Sequence, residues 1–359
     1  MLENSSMCAD ATKHAAPEGY DVKAVEAWIK ENIKSLAPPF LWKRLEGGHS
    51  NLTYLITDQN GVKAVIRRPP QGQLLPKAHD MGREWAIISA LGPTSVPVAA
   101  ALGFCESPDV TGAHFYVMGH VSGAALHTAQ DTARLIPIEK REAVGWNFFD
   151  VLADLHAIDP DAVGLGDLGK KENYIARQLK TWYRSWTSSH EAADYDDSRA
   201  HELQQFLEAN IPEQGPARVV HGDYGLHNCL IGPDFKMAAM LDWEISTLGD
   251  PLADLAYALN QWILPDDPNP VKPDAASVVP GMPSRESLAA RYAARTGCDL
   301  SHLDFYIGFN WWKSAMIIHG VYARYMTGKK STDGIDLNEL RSRVERSLDQ
   351  AAAAVNRIR

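Results

Sequence analysis

The feature that most constrains the fold is a change of pattern along the chain, from strand signals over residues 41–118 to mainly helical signals afterwards. Apolar residues recur at every second position in 52–57. Asn60-Gly61, the strongest short signal for a β-hairpin, separates this run from a second one over 62–68. Two further strands are predicted over 98–104 and 114–118, with one helix over 79–91 before them.

The later part of the chain has the apolar spacing of helices, interrupted by short strands and loops over 219–241. Helices are predicted over 21–34, 139–158, 171–187, 199–210, 284–296, 301–326 and 337–358, the first of them with Asp21 as its N-cap. A proline-rich segment over 264–283 is predicted to be irregular. The expected architecture is an α+β fold with a flexible tail (1–20), a small β-rich N-terminal lobe (21–118) and a larger, mainly helical C-terminal lobe (119–359).

Composition limits the partners that such a chain can have. The 45 acidic side chains outnumber the 35 basic ones, so the net charge is −10. Nucleic acids and acidic membranes bind basic surfaces, and we therefore expect neither as a partner. Four scattered cysteines do not form a disulfide framework, and no secretory or membrane-spanning pattern is present. These observations predict a cytoplasmic protein, while the oligomeric state is left open.

The densest group of chemically useful residues lies in HGDYGLHN and the following LDWE. Asp223 and Asn228 are five residues apart on a loop between apolar segments, and Asp242 follows the next apolar strand. Carboxylate and amide oxygens suit Mg²⁺. This spacing is typical of a kinase site, where one aspartate orients the acceptor hydroxyl and the other two residues hold metal on nucleotide phosphates.

The same segments resemble the aminoglycoside phosphotransferase family, which has a protein-kinase-like fold. LDWEISTLGDPLADLAY is similar to the subgroup whose members occur alone or fused to acyl-CoA dehydrogenases. Further segments over roughly residues 40–330 also resemble that subgroup: GGHSNLTYLI, RRPPQGQLLPKAHDMGREW, FYVMGHVSG and GMPSRESLAARYAARTG. The resemblance implies an ATP-dependent kinase that phosphorylates a small-molecule hydroxyl.

The resemblance also implies a role for each matching position. Asp223 is implied as the catalytic base, and Asn228 and Asp242 as Mg²⁺ ligands. Arg67 falls where the family has a phosphate-binding lysine, and Glu84 falls where a helix glutamate pairs with that cation. The turn over the nucleotide phosphates would comprise Gly47, Gly48, His49, Ser50 and Asn51, and the linker from Met118 through His120 to Val121 would contact adenine.

Two positions depart from the family pattern. Arg67 replaces the lysine, which keeps the charge but changes its geometry. The glycine-rich turn lacks a complete GxGxxG, so its amides alone are a weak signal for phosphate binding. Lys77 is an additional candidate for phosphate contact, and Glu244 is a further candidate near the metal or the nucleotide.

Several nearby residues are predicted to be structural. His221 is interpreted as a scaffold residue, and His227 and Cys229 as packing residues of the loop. Asp250 precedes a proline and is predicted to cap a helix, because proline is favoured at the first helical position. Asp254 follows within the first helical turns, where a negative charge is stabilised, and is also predicted to brace the structure.

Two other functions stay open at this stage. A nucleotide-binding pseudokinase is suggested by Arg67 and by the incomplete glycine-rich turn. A metal-dependent phosphohydrolase is suggested by the HxDxxxH string together with Asp242, although no further cluster completes a two-metal site. For the leading hypothesis, the acceptor is either a hydroxy acid or hydroxyacyl metabolite, as the subgroup implies, or an aminoglycoside-like compound.

Overall fold

The computed structural model describes residues 17–45, 51–71, 80–328 and 334–358. The described residues form two compact units. The first contains the chain up to Trp85 together with Ala100–His120, and the second contains Ala86–Ala99 and the chain from Val121 onward. Gly47, Gly48, His49, Ser50 and Lys77 lie outside the described residues, as does most of the predicted tail.

The first unit is built on a five-stranded antiparallel sheet in the order β1-β2-β3-β5-β4. The predicted hairpin at Asn60-Gly61 is confirmed, since β2 and β3 pair across it and Gly61 has a φ of 81°. The carboxylate of Asp58 stabilises the turn by accepting from the amides of Asn60 and Val62, each at 2.8 Å. The strands are β1 (Leu41–Arg44), β2 (Leu52–Thr57), β3 (Lys63–Arg68), β4 (Ala101–Cys105) and β5 (Phe115–Gly119).

Helix α1 (Val22–Asn32) covers part of this sheet. It begins as predicted at Asp21, whose carboxylate accepts from the Ala24 amide at 3.1 Å. Its apolar face buries Val25 and Ile29 in the same cluster as the inward-facing residues of the strands. Helix α2 (Met81–Leu91) carries Glu84 in its first turn.

The second unit is mainly helical within the described residues. Its central element is α9, against which α5, α7 and α10 pack. The unit contains α3 (Ala129–Leu135), α4 (Ile138–Ala157), α5 (Tyr174–Ala193), α6 (Ser198–Ala209), α7 (Pro251–Gln261), α8 (Arg285–Thr296), α9 (Leu303–Met326) and α10 (Leu337–Asn356). The predicted irregular character of 264–283 is confirmed, since neither helix nor strand occurs there.

Two details of the helices differ from the prediction. Helix α5 continues past the predicted end to Ala193, because Trp186 and Ala193 are buried in the core of the unit and hold the polar TSSH stretch in helical geometry. Helix α3 was not predicted. Its seven residues are too few for a clear periodicity, and it depends on a capping box between Thr128 and Asp131.

Two small antiparallel ladders interrupt the helices and carry the motif loops. Strand β6 (Arg218–Val220) pairs with β9 (Thr247–Gly249), and β7 (Cys229–Ile231) pairs with β8 (Met237–Met240). A single 3₁₀ turn, Leu226–Asn228, leads into β7. Across the described helices, none has both the length and the apolar character that crossing a membrane requires.

Candidate active site

Asp223 lies on the loop after β6, and three side chains contact its carboxylate. The Tyr257 hydroxyl donates to Oδ1 at 2.5 Å, and the Asn228 side-chain amide donates to Oδ2 at 3.0 Å. His227 Nε2 lies 3.5 Å from Oδ2. Burial raises the pKa of Asp223, but the hydrogen bond and charge of His227 and the hydrogen bond from Tyr257 outweigh it and lower the pKa to about 2. The carboxylate is therefore ionised at neutral pH, and about a third of the side chain stays exposed.

The backbone of this loop is fixed by Asp254 from the first turns of α7. Its buried carboxylate accepts from the amides of His221 and Gly222 at 2.5 and 2.8 Å. Gly222 presents its amide from a φ of 85°, a conformation that favours glycine. His156 Nε2 lies 3.4 Å from the same carboxylate. These contacts confirm that Asp254 braces the structure.

The other residues interpreted as structural are also placed by these contacts. His221 is buried, its Nε2 donates to the Leu241 carbonyl at 2.8 Å, and its Nδ1 accepts from the Asp223 amide at 3.3 Å. Both ring nitrogens are thus engaged by the backbone, which confirms the scaffold interpretation. Asp250 caps α7 as predicted by accepting from the Leu252 amide at 3.0 Å.

Asn228 and Asp242 lie at the same end of the β7–β8 ladder. The Leu241 amide donates to the Asn228 carbonyl at 2.8 Å, which extends the ladder by one step, and Asp242 is the next residue. Asp242 has a φ of 63°, a left-handed conformation that aspartate tolerates better than most residues. Because Asn228 uses its side-chain nitrogen to bond both the carbonyl and the carboxylate of Asp223, its amide has a fixed orientation.

This donor set fits Mg²⁺ better than a transition metal. Asn228 and Asp242 supply amide and carboxylate oxygens, the ligands that Mg²⁺ prefers. Within the residues that the structure describes, no three His, Cys, Asp or Glu side chains come together as a metal cluster. With both nitrogens of His221 engaged, the HxDxxxH string does not form the ligand set that the phosphohydrolase alternative requires.

The first unit contains the remaining described candidates. Arg67 Nε on β3 lies 3.2 Å from the buried carboxylate of Glu84, so the predicted pair is formed, and the Tyr116 hydroxyl donates to the same carboxylate at 2.8 Å. Asn51 is buried immediately before β2. Met118 lies on β5 opposite Val65.

Three further predicted site residues, His120, Val121 and Glu244, lie shortly after β5 or after Asp242. His120 is exposed, and its amide donates to the Lys63 carbonyl at 3.4 Å. The second unit is formed by two segments of the chain, and Val121 is the first residue of the longer one. Glu244 is half-buried two residues beyond Asp242.

Sequence reasoning missed two contributors to this site. Tyr257, which contacts Asp223, carries no local motif that marks it, although it lies three residues after Asp254 and therefore shares its helix face. His227 was assigned to packing, but its contact with the Asp223 carboxylate gives it an electrostatic effect on that residue. The spacing of four residues between Asp223 and His227 does not indicate contact, because the intervening loop is not a regular helix.

A small open cleft adjoins the same loop within the second unit. Gly225, Leu226 and His227 line one part of it, and Trp262 contributes an aromatic wall. Residues of the irregular segment, including Lys272, complete the lining. The predicted irregular segment is thus brought to the neighbourhood of Asp223.

The fold and this loop define a kinase-like phosphotransferase architecture, and comparison with known proteins agrees. Residues 41–288 match the model of the phosphotransferase enzyme family, APH, so the chain belongs to that family. A crystal structure of a putative aminoglycoside phosphotransferase from Ralstonia eutropha superposes with a TM-score of 0.80 at 29% identity, covering 93% of this chain and 99% of that one. Aminoglycoside 2'-phosphotransferase-IIIa, at 14% identity and a TM-score of 0.60, shares the fold over 93% of this chain and 99% of its own.

The chain is also similar in sequence to acyl-CoA dehydrogenase family members, as the predicted subgroup implies. Mouse acyl-CoA dehydrogenase family member 10 is 35% identical over 315 residues, which cover 86% of this chain. Chicken acyl-CoA dehydrogenase family member 11 is 34% identical over 298 residues, or 81% of this chain. The chain spans only 29% and 38% of the length of these two relatives. The predicted resemblance and the kinase-like fold class are both confirmed.

Proposed function

We propose that this chain transfers the γ-phosphoryl group of ATP to a hydroxyl of a small molecule, with Asp223 as the base. The observation that carries the proposal is the Asp223 carboxylate, which is ionised, partly exposed and oriented by Tyr257 and Asn228. A base with a pKa of about 2 removes a proton poorly from a free alcohol. In phosphoryl transfer its main task is to accept the hydroxyl proton late and to align the nucleophile, which requires geometry more than basicity.

The metal role is assigned to Asn228 and Asp242. Their oxygens would hold Mg²⁺, which when bound neutralises charge on the nucleotide phosphates. The hydrogen bond from Asn228 to Asp223 links the proposed metal site to the proposed base. The residue proposed to hold the metal also orients the proposed base, so the two groups keep a fixed relation through one amide side chain.

The nucleotide role is assigned to Arg67, Glu84 and Asn51 and to the linker from Met118 to Val121. Arg67, oriented by Glu84, would contact phosphates, and the turn ending at Asn51 would supply backbone amides. Met118, His120 and Val121 would contact adenine through the backbone. Support for a nucleotide comes from related structures, one a GDP complex of aminoglycoside 2'-phosphotransferase-IIIa and one a ternary complex of APH(4)-Ia with ADP and hygromycin B.

For the acceptor, we propose a hydroxy acid or hydroxyacyl metabolite ahead of an aminoglycoside-like compound. The sequence is 30–35% identical to several acyl-CoA dehydrogenase family members, whereas the neighbours crystallised with antibiotic or nucleotide ligands are 13–15% identical and share only the fold. A panel of hydroxy acids, hydroxyacyl-CoAs, aminoglycosides, amino sugars and choline-like alcohols, incubated with Mg-ATP or Mg-GTP, tests this choice. Nucleoside diphosphate release is the readout.

The role of Asp223 is tested with Asp223→Ala. We expect loss of turnover with nucleotide affinity largely retained, because the side chain contacts the acceptor rather than the nucleotide. Full activity of this variant would rule out the assignment, and wild-type protein without acceptor-dependent diphosphate release would instead favour the pseudokinase.

The metal role is tested with Asp242→Ala, for which calorimetry should show loss of Mg-dependent nucleotide binding. Asp234→Ala, in the exposed turn between β7 and β8, is the matched control. Unchanged Mg-dependent affinity in Asp242→Ala would contradict the metal role.

A further inference from the structure

Helix α9 carries a buried lysine that the proposed mechanism does not use. Lys313 lies in the middle of the helix and is only 7% exposed. Its ammonium lies 6.0 Å from the ring centre of Trp182 and 5.8 Å from that of Tyr257. Among the described residues, it has neither a hydrogen bond nor an ion pair. Lysine is rarely buried to this degree without a partner.

The nearby carboxylates do not supply that partner by direct contact. Asp254 is already bonded by two backbone amides and His156. Asp223 is bonded by Tyr257 and Asn228 and lies next to His227. Burial lowers the pKa of Lys313, and the charges of Asp254 and Asp223 act in the opposite direction. Burial has the larger effect, so the pKa of Lys313 is lowered overall. Neither carboxylate contacts the ammonium, and its N–H groups are left for another acceptor.

Tyr257 connects this lysine to the proposed active site. Its hydroxyl bonds Asp223, and its ring lies against the Lys313 ammonium, so one side chain separates the proposed base from the cation. Trp182, the other ring near the ammonium, is fixed by a 2.8 Å hydrogen bond from its indole nitrogen to Gln178. Two aromatic rings thus lie within about 6 Å of the ammonium, a distance at which a cation–π contact is favourable.

We propose that Lys313 binds an anionic group of the hydroxyl acceptor, a carboxylate or a phosphate, while Asp223 orients the hydroxyl of the same molecule. This inference rests on the proposed phosphotransferase function and gives its acceptor a charge. A cationic acceptor is disfavoured at this position because the two rings that would bind a positive group are already occupied by the chain's own lysine.

The test compares acceptors that differ only in charge. The probes are the three positional isomers of hydroxybutyrate with their neutral amides, glycerol phosphate with glycerol, and kanamycin as a cation. Binding is measured by calorimetry without nucleotide, and turnover by ADP release with Mg-ATP. We expect the wild type to bind at least one anionic probe about tenfold or more tightly than its neutral partner, as a charge-assisted hydrogen bond contributes. The carboxylate and phosphate pairs distinguish the two anion sources.

Three variants locate the effect. Lys313→Met keeps the unbranched stem but removes the charge, and it should lose the preference for the anion while Mg-ATP affinity is unchanged. Lys313→Arg keeps the charge and should retain part of the preference. Lys180→Met is the matched control, because Lys180 is an exposed lysine of α5, the helix that also carries Trp182, and it has no role in the proposed site.

The outcomes separate this inference from the proposed function. The inference is wrong if the wild type binds neutral probes or kanamycin as tightly as it binds anions. It is also wrong if Lys313→Met keeps the preference or if Lys180→Met loses it. The wild-type comparison is independent of whether Lys313→Met folds. Lys313-dependent anion binding without ADP release supports the anion site and contradicts phosphorylation of that probe. ADP release with no charge preference supports the function and contradicts the anion site.

Discussion

Replacing Asp254 by asparagine tests whether this residue holds the loop that carries Asp223. Both oxygens of the buried carboxylate face N–H donors. Oδ1 accepts from the Gly222 amide at 2.8 Å, and Oδ2 accepts from the His221 amide at 2.5 Å. An asparagine has one acceptor oxygen, so its NH₂ group must point at a backbone N–H, which has no acceptor to offer.

The magnitude follows from the bonds that are lost. A hydrogen bond to a charged group contributes about 1.5–3 kcal/mol, and a buried donor left unsatisfied costs about 1–3 kcal/mol. We therefore expect Asp254→Asn to lower the free energy of unfolding of the helical unit by about 3–5 kcal/mol. We also expect kcat to fall about 100-fold, since a displacement near 1 Å of a positioned group has that effect.

Asp250→Asn is the matched control, with the same chemical change four residues earlier on the same helix terminus. One oxygen of Asp250 accepts from the Leu252 amide at 3.0 Å, and the other accepts from the Tyr306 hydroxyl at 2.6 Å. A hydroxyl can reverse its role and accept from the new NH₂ group, and asparagine is as good an N-cap as aspartate. The expected loss is therefore below about 1 kcal/mol.

Urea denaturation followed by tryptophan fluorescence measures the stability of both variants, and ADP release measures kcat. Equal destabilisation of the two variants would refute the reasoning, because it would show that the direction of the donors does not matter. A fully active Asp254→Asn would show that the loop keeps its position without this carboxylate.

Two other perturbations have expected outcomes. Tyr257→Phe removes a donor to the charged form of Asp223, so the pKa rises from about 2 by roughly one to two units, as the free energy of one such hydrogen bond implies. The acid limb of kcat/KM should move to higher pH by that amount, with no shift for Tyr224→Phe, whose hydroxyl bonds the Phe148 carbonyl instead. An identical acid limb in the two tyrosine variants would exclude a role for Tyr257. Glu84→Gln breaks a buried ion pair and should cost about 3 kcal/mol of stability and weaken nucleotide binding. The control is the exposed ion pair between Glu18 and Arg44. In a thermal melt, Glu18→Gln should change the stability by less than about 1 kcal/mol. Equal melts for the two glutamate variants would contradict the structural role of Glu84.

The local parts of the fold were accessible from sequence because their causes are local. The hairpin at Asn60-Gly61 depends on residues that lie within the turn itself, including Gly61 with its positive φ. The caps at Asp21 and Asp250 likewise bond amides two or three residues away. The end of α5 was missed because Trp186 holds it through burial in the core of the unit, and no local signal reports that packing.

The candidate site divides in the same way. Asp223, Asn228 and Asp242 were predicted as site residues from their spacing, since the β7–β8 ladder between Asn228 and Asp242 is short and its geometry follows from the chain. Contacts made across helices were not found, because residues on different helices approach each other only when the helices pack. Tyr257 reaches Asp223 from α7, and Lys313 reaches Tyr257 from α9.

The sequence by itself determined the order of most strands and helices, the family and the positions of the three motif residues. These properties depend on side-chain periodicity, turn chemistry and spacing over a few residues. The tertiary structure decided the electrostatics of the site, because a pKa depends on every charge and donor within several ångströms, whatever its position in the chain. It brought Tyr257 and His227 to Asp223, lowered the pKa of that aspartate, and left a buried lysine one ring away from it.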